Sequence, residues 1–323
     1  CTAIETDSQR LACYDHATGR NRMAVAAKDA QTESAINVFS GGDRKSTTPS
    51  PAAPMSLLDS RWELAPESKL GTFNVRGYKP VYIMPLYFAD RVNRAPHSPN
   101  PDNVVPAPQA FKRLEQKFQI SFKTKVLEDI FGDNGALWLG YTQSSRWQTY
   151  NAELSRPFRE TNYEPEAMLV FDTHYPVLGW DLRLLGIGVN HQSNGRGDPW
   201  SRSWNRLIAN IGFERGDWVV MIRPWWRVIE TAGNDDNPDI TDYLGHGEVQ
   251  VTREWNGHEF SLMLRQAINP GTDRGAARFS WSFPVAGNLR GYLELFNGYG
   301  ESLIDYNHHA SHFGLGVSLL DWY

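Results

Sequence analysis

The stretch Ala277 to Val285, ARFSWSFPV, alternates throughout: Ala277, Phe279, Trp281, Phe283 and Val285 share one face of an extended chain, with Arg278, Ser280 and Ser282 on the other. One face is apolar and the opposite face carries charge. The same texture recurs where Phe260, Leu262 and Leu264 oppose Glu259, Ser261 and Arg265. It recurs again where Trp218, Val220, Ile222, Trp226 and Val228 oppose Met221, Arg223 and Arg227. Such segments run roughly 9 to 14 residues, the length a tilted strand needs to cross a bilayer. A soluble sandwich turns its apolar face inward, whereas a closed membrane barrel can fill its lumen with hydrogen-bonded polar groups.

About a dozen segments are counted, an even number as single-chain outer-membrane barrels prefer. They begin near Tyr78, Lys117, Gly135, Glu164, Gly179, Ser203, Trp218, Tyr243, His258, Gly275, Leu289 and His312. Tight connections such as Val285 to Asn288 alternate with longer polar ones such as Gly233 to Asp242. The expected fold is therefore all-β, a transmembrane antiparallel up-and-down β-barrel of about 12 strands over residues 75–323. The last segment ends on Tyr323, and a terminal aromatic strand resembles the address read by the outer-membrane assembly machinery.

Composition agrees with this choice. A mean hydropathy of -0.50 looks soluble, yet alternation hides a barrel's hydrophobicity from any average. No run of about eighteen apolar residues offers a membrane helix. Trp 12, Tyr 13 and Phe 15 suit interfacial girdles, and a net charge of -5 argues against a nucleic-acid partner.

Residues 1–74 lack sustained periodicity, apart from a short helix-like piece around Ser8 to His16, and include the tract SGGDRKSTTPSPAAP. Such composition buries too little apolar area to offset chain entropy, so this segment is expected to be a largely flexible periplasmic arm. Both cysteines, Cys1 and Cys13, lie in it. A local disulfide between them is one reading. The other makes Cys1 the first residue after removal of an export signal, carrying lipid and leaving Cys13 free.

The polar run NHQSNGRGDPWSRSWN, Asn190 to Asn205, interrupts the alternation in an informative place. His191 and Ser193 continue the apolar row Leu185, Ile187, Val189, and Asn205 begins the row Leu207, Ala209, Ile211, Phe213. Paired as neighbouring antiparallel strands, they bring His191, Ser193 and Asn205 together at one rim of an apolar surface. Asp235, Asp236 and Asp239 read as a solvated loop, while Asp198 and Asp236 are held as members of a second metal site.

The runs NHQSNGR, DPWSRSWNR, SRPFRETNYEP, DDNPDIT and GYGESLIDYN occur in that mutual context, and with them the chain resembles the outer-membrane phospholipase A family of Gram-negative bacteria. The resemblance covers the barrel and leaves the first 70 or so residues outside it. It implies a hydrolase triad on the outside of the barrel: Ser193 as nucleophile, His191 as base and Asn205 as the group orienting the imidazole. An amide supplies no negative charge, so it should stabilise imidazolium less well than a carboxylate. The resemblance further implies Ca2+ held by Ser201, the Arg196 carbonyl and Ser155 of the partner subunit, with the Gly195 amide at the oxyanion. It also implies a homodimer when active, acting on phospholipids and lysophospholipids in the membrane, with no nucleic acid. Gln143 shares a face with Leu137, Leu139 and Tyr141, where an amide in hydrocarbon calls for a partner. The resemblance makes it a dimer contact. The rival expectations are a non-enzymatic porin or structural barrel and a secreted β-sandwich esterase.

Overall fold

The structure is a computed structural model that describes residues 56–267 and 273–323. Cys1, Cys13 and the arm as far as residue 55 lie outside the described residues.

A helix, α1 (Leu57–Trp62), precedes a short strand β1 (Val75–Gly77). The strands β2 (Val81–Ala89), β3 (Leu114–Leu127), β4 (Ala136–Trp147), β5 (Phe158–Val177), β6 (Trp180–Ser193) and β7 (Ser203–Arg215) follow. The series continues with β8 (Trp218–Val228), a one-turn helix α2 (Thr241–Leu244), β9 (Gly247–Trp255) and β10 (His258–Gln266). It ends with β11 (Gly275–Ala286), β12 (Leu289–Tyr299) and β13 (His309–Leu320). From β2 to β13 each strand pairs antiparallel with the next, and β13 pairs back onto β2, closing the sheet. β1 lies against Phe122–Thr124 of β3, beyond the reach of β2, so it extends the first stave and the barrel has twelve. Closure removes every free sheet edge, which a hydrocarbon environment demands. A β-sandwich is excluded by the same closure.

Two-residue turns join β5 to β6, β7 to β8, β9 to β10 and β11 to β12. At Asn256-Gly257 both residues take left-handed φ, 50° and 75°, the twist-matched hairpin turn that this dipeptide favours. The opposite end carries the long loops.

The faces alternate as the charge pattern requires. On β6, Leu185, Ile187 and Val189 are exposed outward, Val189 to 60%, whereas Leu184 is fully buried and Asn190 nearly so. Inside, Lys117 bridges Glu294 at 2.7 Å and Glu301 at 2.8 Å, while Arg146 grips Glu301 through Nε at 3.0 Å and Nη2 at 2.7 Å. Arg159 spans Glu115 at 2.8 Å and Asp305 at 2.7 Å. Buried charges persist only when paired in this way.

The lumen is filled from both ends. At the loop end, residues 300–308 fold inward: Leu303 N donates to Asn162 Oδ1 at 3.0 Å, Ile304 N donates to Glu160 Oε1 at 3.1 Å, and Glu301 to Tyr306 are buried. Burial alone would raise the Glu301 carboxyl, yet Arg146 and Lys117 hold it well below the usual carboxylate range. At the tight-turn end, α1 inserts Leu58 and Trp62, with Trp62 edge-on to Tyr78 and Trp138. The Lys123 Nζ lies over the rings of Trp62 and Trp138, 2.9 and 4.7 Å from their centroids. Expected from sequence to belong to the flexible arm, residues 57–64 are instead packed into the barrel, because Leu58, Trp62 and Leu64 supply apolar area that the arm's composition as a whole lacks. The lumen cavity between the plugs has a volume of about 140 Å³ and is lined by polar side chains such as Lys117, Arg146, Arg206 and Glu294. That interior is unlike the open channel of a porin.

Candidate active site

β6 and β7 pair so that His191 faces Asn205 and Ser193 faces Ser203. The loop between them, residues 194–202, closes the hairpin at the long-loop end. His191 Nδ1 lies 2.8 Å from Asn205 Oδ1, on the outer wall of the barrel. Ser193 stands two residues further along the same face of β6, half-buried, and its hydroxyl makes no hydrogen bond among the described residues. All three expected site residues are thus brought to one place by one ladder. An imidazole hydrogen-bonded through Nδ1 leaves Nε2 to act as a base toward a nearby hydroxyl.

A fourth residue completes the chain. The Asn205 amide nitrogen donates to Glu230 Oε1 at 2.9 Å, just beyond the end of β8. Sequence reasoning misses Glu230, since Val228-Ile229-Glu230 reads as nothing more than a strand end.

The loop 194–202 is built around Asn194, which is buried. Its Oδ1 accepts from Arg196 N at 3.3 Å and Arg202 N at 3.1 Å, and its Nδ2 donates to the Trp200 carbonyl at 2.8 Å. Arg202, fully buried, donates to the carbonyls of Ser201 at 2.6 Å and Asn103 at 3.0 Å. Gly195 has φ +62°, and a Cβ there would sit 3.0 Å from the Tyr163 ring, so glycine is required on both counts.

Among the described residues no group of three His, Cys, Asp or Glu side chains is placed to hold a metal. The donors that the family resemblance implies are of another kind, hydroxyl and carbonyl oxygens. Ser201 Oγ donates to Asp236 Oδ2 at 2.7 Å, as does Ser203 Oγ at 3.2 Å, which sets a carboxylate beside one expected ligand. The Arg196 carbonyl accepts no hydrogen bond among the described residues, and Arg196 is exposed. These are hard oxygen donors, the set that calcium takes. Asp198 accepts from Asn103 Nδ2 at 2.9 Å, Asp235 pairs with Arg227, and Asp239 accepts from the Tyr306 hydroxyl at 2.6 Å. The aspartates of the 229–240 loop therefore serve separate partners. Ser155, exposed and left-handed at φ +58°, stands on the β4–β5 loop.

Ladder register places Ile120, Gln143, Tyr163 and Ser193 in one row across β3, β4, β5 and β6. Gln143 is thus two strand spacings, about 10 Å, from the nucleophile candidate. Its Oε1 accepts from the Tyr141 hydroxyl at 3.2 Å.

Fold and site together define a membrane-spanning β-barrel with a filled lumen and a histidine, serine and asparagine set on its lipid-facing wall. The family model described as Phospholipase A1 matches residues 58–319. A putative phospholipase A1 of Neisseria meningitidis serogroup B is 37% identical over 350 aligned positions, covering 99% of this chain and 90% of that one. Phospholipase A1 of Escherichia coli K12 is 44% identical over 210 residues, 65% of this chain and 71% of that one. Among solved structures, the outer membrane phospholipase dimer of Salmonella typhi with bound calcium superposes with a TM-score of 0.70 at 37% identity, covering 78% of this chain and 94% of that one. The chain belongs to the phospholipase A1 family, the outer-membrane phospholipases A.

Proposed function

We propose that the chain hydrolyses acyl ester bonds of phospholipids and lysophospholipids in the outer membrane, at either glycerol position, in a calcium-dependent reaction completed by dimerisation. The observation that carries this reading is the His191 Nδ1 to Asn205 Oδ1 contact of 2.8 Å on the outer wall, with Ser193 on the same face of the same strand. A lipid can reach that wall laterally without leaving the membrane.

In the reaction, Ser193 Oγ attacks the ester carbonyl carbon while His191 Nε2 takes the hydroxyl proton. The tetrahedral intermediate collapses, the proton passes from His191 to the departing glycerol or lysolipid oxygen, and an acyl-serine remains. A water then attacks the acyl carbon with His191 again as base, and fatty acid is released. Asn205 holds the imidazole in the required tautomer throughout, and the Gly195 amide donates to the oxyanion.

Ser201, the Arg196 carbonyl and Ser155 of the partner subunit are the proposed calcium donors. Bound there, the cation supplies positive charge beside the developing oxyanion, which a triad lacking a carboxylate needs more than most. The Ser201 to Asp236 contact supports an oxygen-rich setting for it. The calcium-bound dimer of the Salmonella relative supports both cation and pairing. Gln143 is the proposed contact across the two-fold axis.

The test is release of fatty acid from phospholipid in mixed micelles, with calcium or with excess chelator, by wild type and Ser193→Ala. Release by the wild type with calcium only, and none by the variant, is expected. Equal release from both proteins would contradict the reading and leave a barrel whose rim network is only structural.

A further inference from the structure

We infer that Glu230 is a positioning residue for this reaction, acting on His191 through Asn205 as the carboxylate that the triad otherwise lacks. The inference rests on the triad proposed above.

An asparagine side chain is ambiguous, because its oxygen and nitrogen can exchange places at little cost. A carboxylate resolves the ambiguity, since an ionised Glu only accepts. With Glu230 Oε1 2.9 Å from Asn205 Nδ2, the nitrogen faces Glu230 and the oxygen faces His191 Nδ1 at 2.8 Å. That oxygen accepts, so Nδ1 carries the proton and Nε2 is left free to take one from Ser193. Were the amide reversed, its nitrogen would donate to Nδ1 and the proton would sit on Nε2, where the base is needed. One carboxylate thereby selects both the amide orientation and the imidazole tautomer.

The same contact delivers charge. When His191 becomes imidazolium, the sequence imidazolium, amide, carboxylate aligns two charge-assisted hydrogen bonds, and the proton on Nδ1 stays where it is. Position favours the effect: Asn205 is in register with Val228, and Glu230 stands two residues beyond it, half-buried at a wall whose neighbouring side chains are apolar. Leu207, Trp226 and Val228 are all exposed on that side, so lipid rather than water lies nearby and screening is weak. Other charged or titratable groups at this rim have different partners. Asp236 is held by the hydroxyls of Ser201 and Ser203, Arg196 lies over the Trp200 ring and donates to the Arg159 carbonyl, and Tyr163 packs beside Gly195.

A substitution cycle tests this. The proteins are wild type, Ser193→Ala, Glu230→Ala, Glu230→Gln, Asn205→Asp and the double variant Asn205→Asp/Glu230→Ala. Each is assayed in micelles with calcium, and folding is checked by heat-dependent gel mobility. Glu230→Ala is expected to lower kcat about 10-fold, as loss of one charge-assisted hydrogen bond does, with KM changed less than two-fold. Glu230→Gln should fall nearly as far, because a neutral amide neither fixes Asn205 nor supplies charge. Asn205→Asp alone sets two carboxylates against each other and should also lose activity. The double variant then has one carboxylate directly on Nδ1, and its kcat should exceed that of either single variant.

Wild-type kcat in both Glu230 variants, or a double variant no more active than the product of the single effects, overturns the inference while Ser193→Ala remains inactive. Activity in Ser193→Ala overturns the triad itself, and the inference with it.

Discussion

His191 and Asn205 are directly opposed residues of the β6–β7 ladder, so the 2.8 Å contact between Nδ1 and Oδ1 is set by backbone register rather than by side-chain reach. A one-residue slip of either strand would send its own side chain into the lumen and part the pair, and register here is fixed by burial of Leu184 and Trp204 on one face against exposed Ile187 and Leu207 on the other. Asn205→Ala keeps the ladder and removes the contact. Since a hydrogen bond to a charged group contributes about 1.5–3 kcal/mol, kcat is expected to fall about 10- to 150-fold with KM little changed. Steady-state kinetics on one phospholipid in micelles checks it.

Gly195 is constrained twice, by φ +62° and by the Tyr163 ring 3.0 Å from where a Cβ would lie. Gly195→Ala should displace the amide proposed as oxyanion donor and lower kcat about 100-fold, the usual consequence of losing one such donor. Barrel stability should change far less, because the loop is exposed. Kinetics alongside unfolding in urea separates the two effects.

The inward loop predicts an acid dependence. Glu301 and Asp305 are buried, which would raise their carboxyls, but Arg146 and Lys117 hold the first well below the usual range and Arg159 holds the second below it. A carboxyl with a folded-state pKa below its unfolded value contributes stability that is fully present above the unfolded pKa, near 4 for a carboxylate, and is lost as pH falls toward the folded value. Stability should therefore hold from neutral pH to about pH 5 and decline below about pH 4. Glu301→Gln, which strands Arg146 while Lys117 keeps Glu294, should cost about 3–5 kcal/mol at neutral pH and flatten the acid limb. Equilibrium unfolding across pH measures both.

Much of this fold is legible in the sequence because burial and exposure alternate with period two along each strand. Starts expected at Ser203, Trp218, His258, Gly275 and Leu289 coincide with those observed. Where alternation fails, so does the reading. β5 begins at Phe158 rather than near Glu164, because Arg159, Glu160 and Asn162 are polar residues buried against the inward loop and so hide the strand. β9 begins at Gly247 rather than near Tyr243, which belongs to the helical turn α2 packed near Trp225 and Tyr306. GYGESLIDYN plugs the lumen, which no period in its sequence announces, since its acidic groups answer Lys117, Arg146 and Arg159 on strands far away in sequence. The site divides in the same way. His191, Ser193 and Asn205 follow from parity, whereas the partners of Asn194, Asp236 and Glu230 depend on loop closure that no period encodes.

The row Ile120, Gln143, Tyr163, Ser193 predicts that pairing and catalysis are coupled. With Ser155 of the partner subunit and Ser201 as the proposed calcium donors, Gln143→Ala should weaken self-association in detergent and raise the calcium concentration for half-maximal activity about 10-fold, one hydrogen-bonded contact's worth of coupling. Sedimentation with and without calcium, read beside activity, checks both.

Ser193 is the proposed nucleophile on the lipid-facing wall. A serine-directed sulfonyl fluoride with an acyl-like chain, applied to the folded protein in detergent with calcium and followed by peptide mass spectrometry, tests it most directly. One modified residue, Ser193, is expected, with loss of hydrolysis in proportion to labelling and no labelling of His191→Ala. Complete inactivation with the label on any other residue, or full activity with Ser193 labelled, would contradict it.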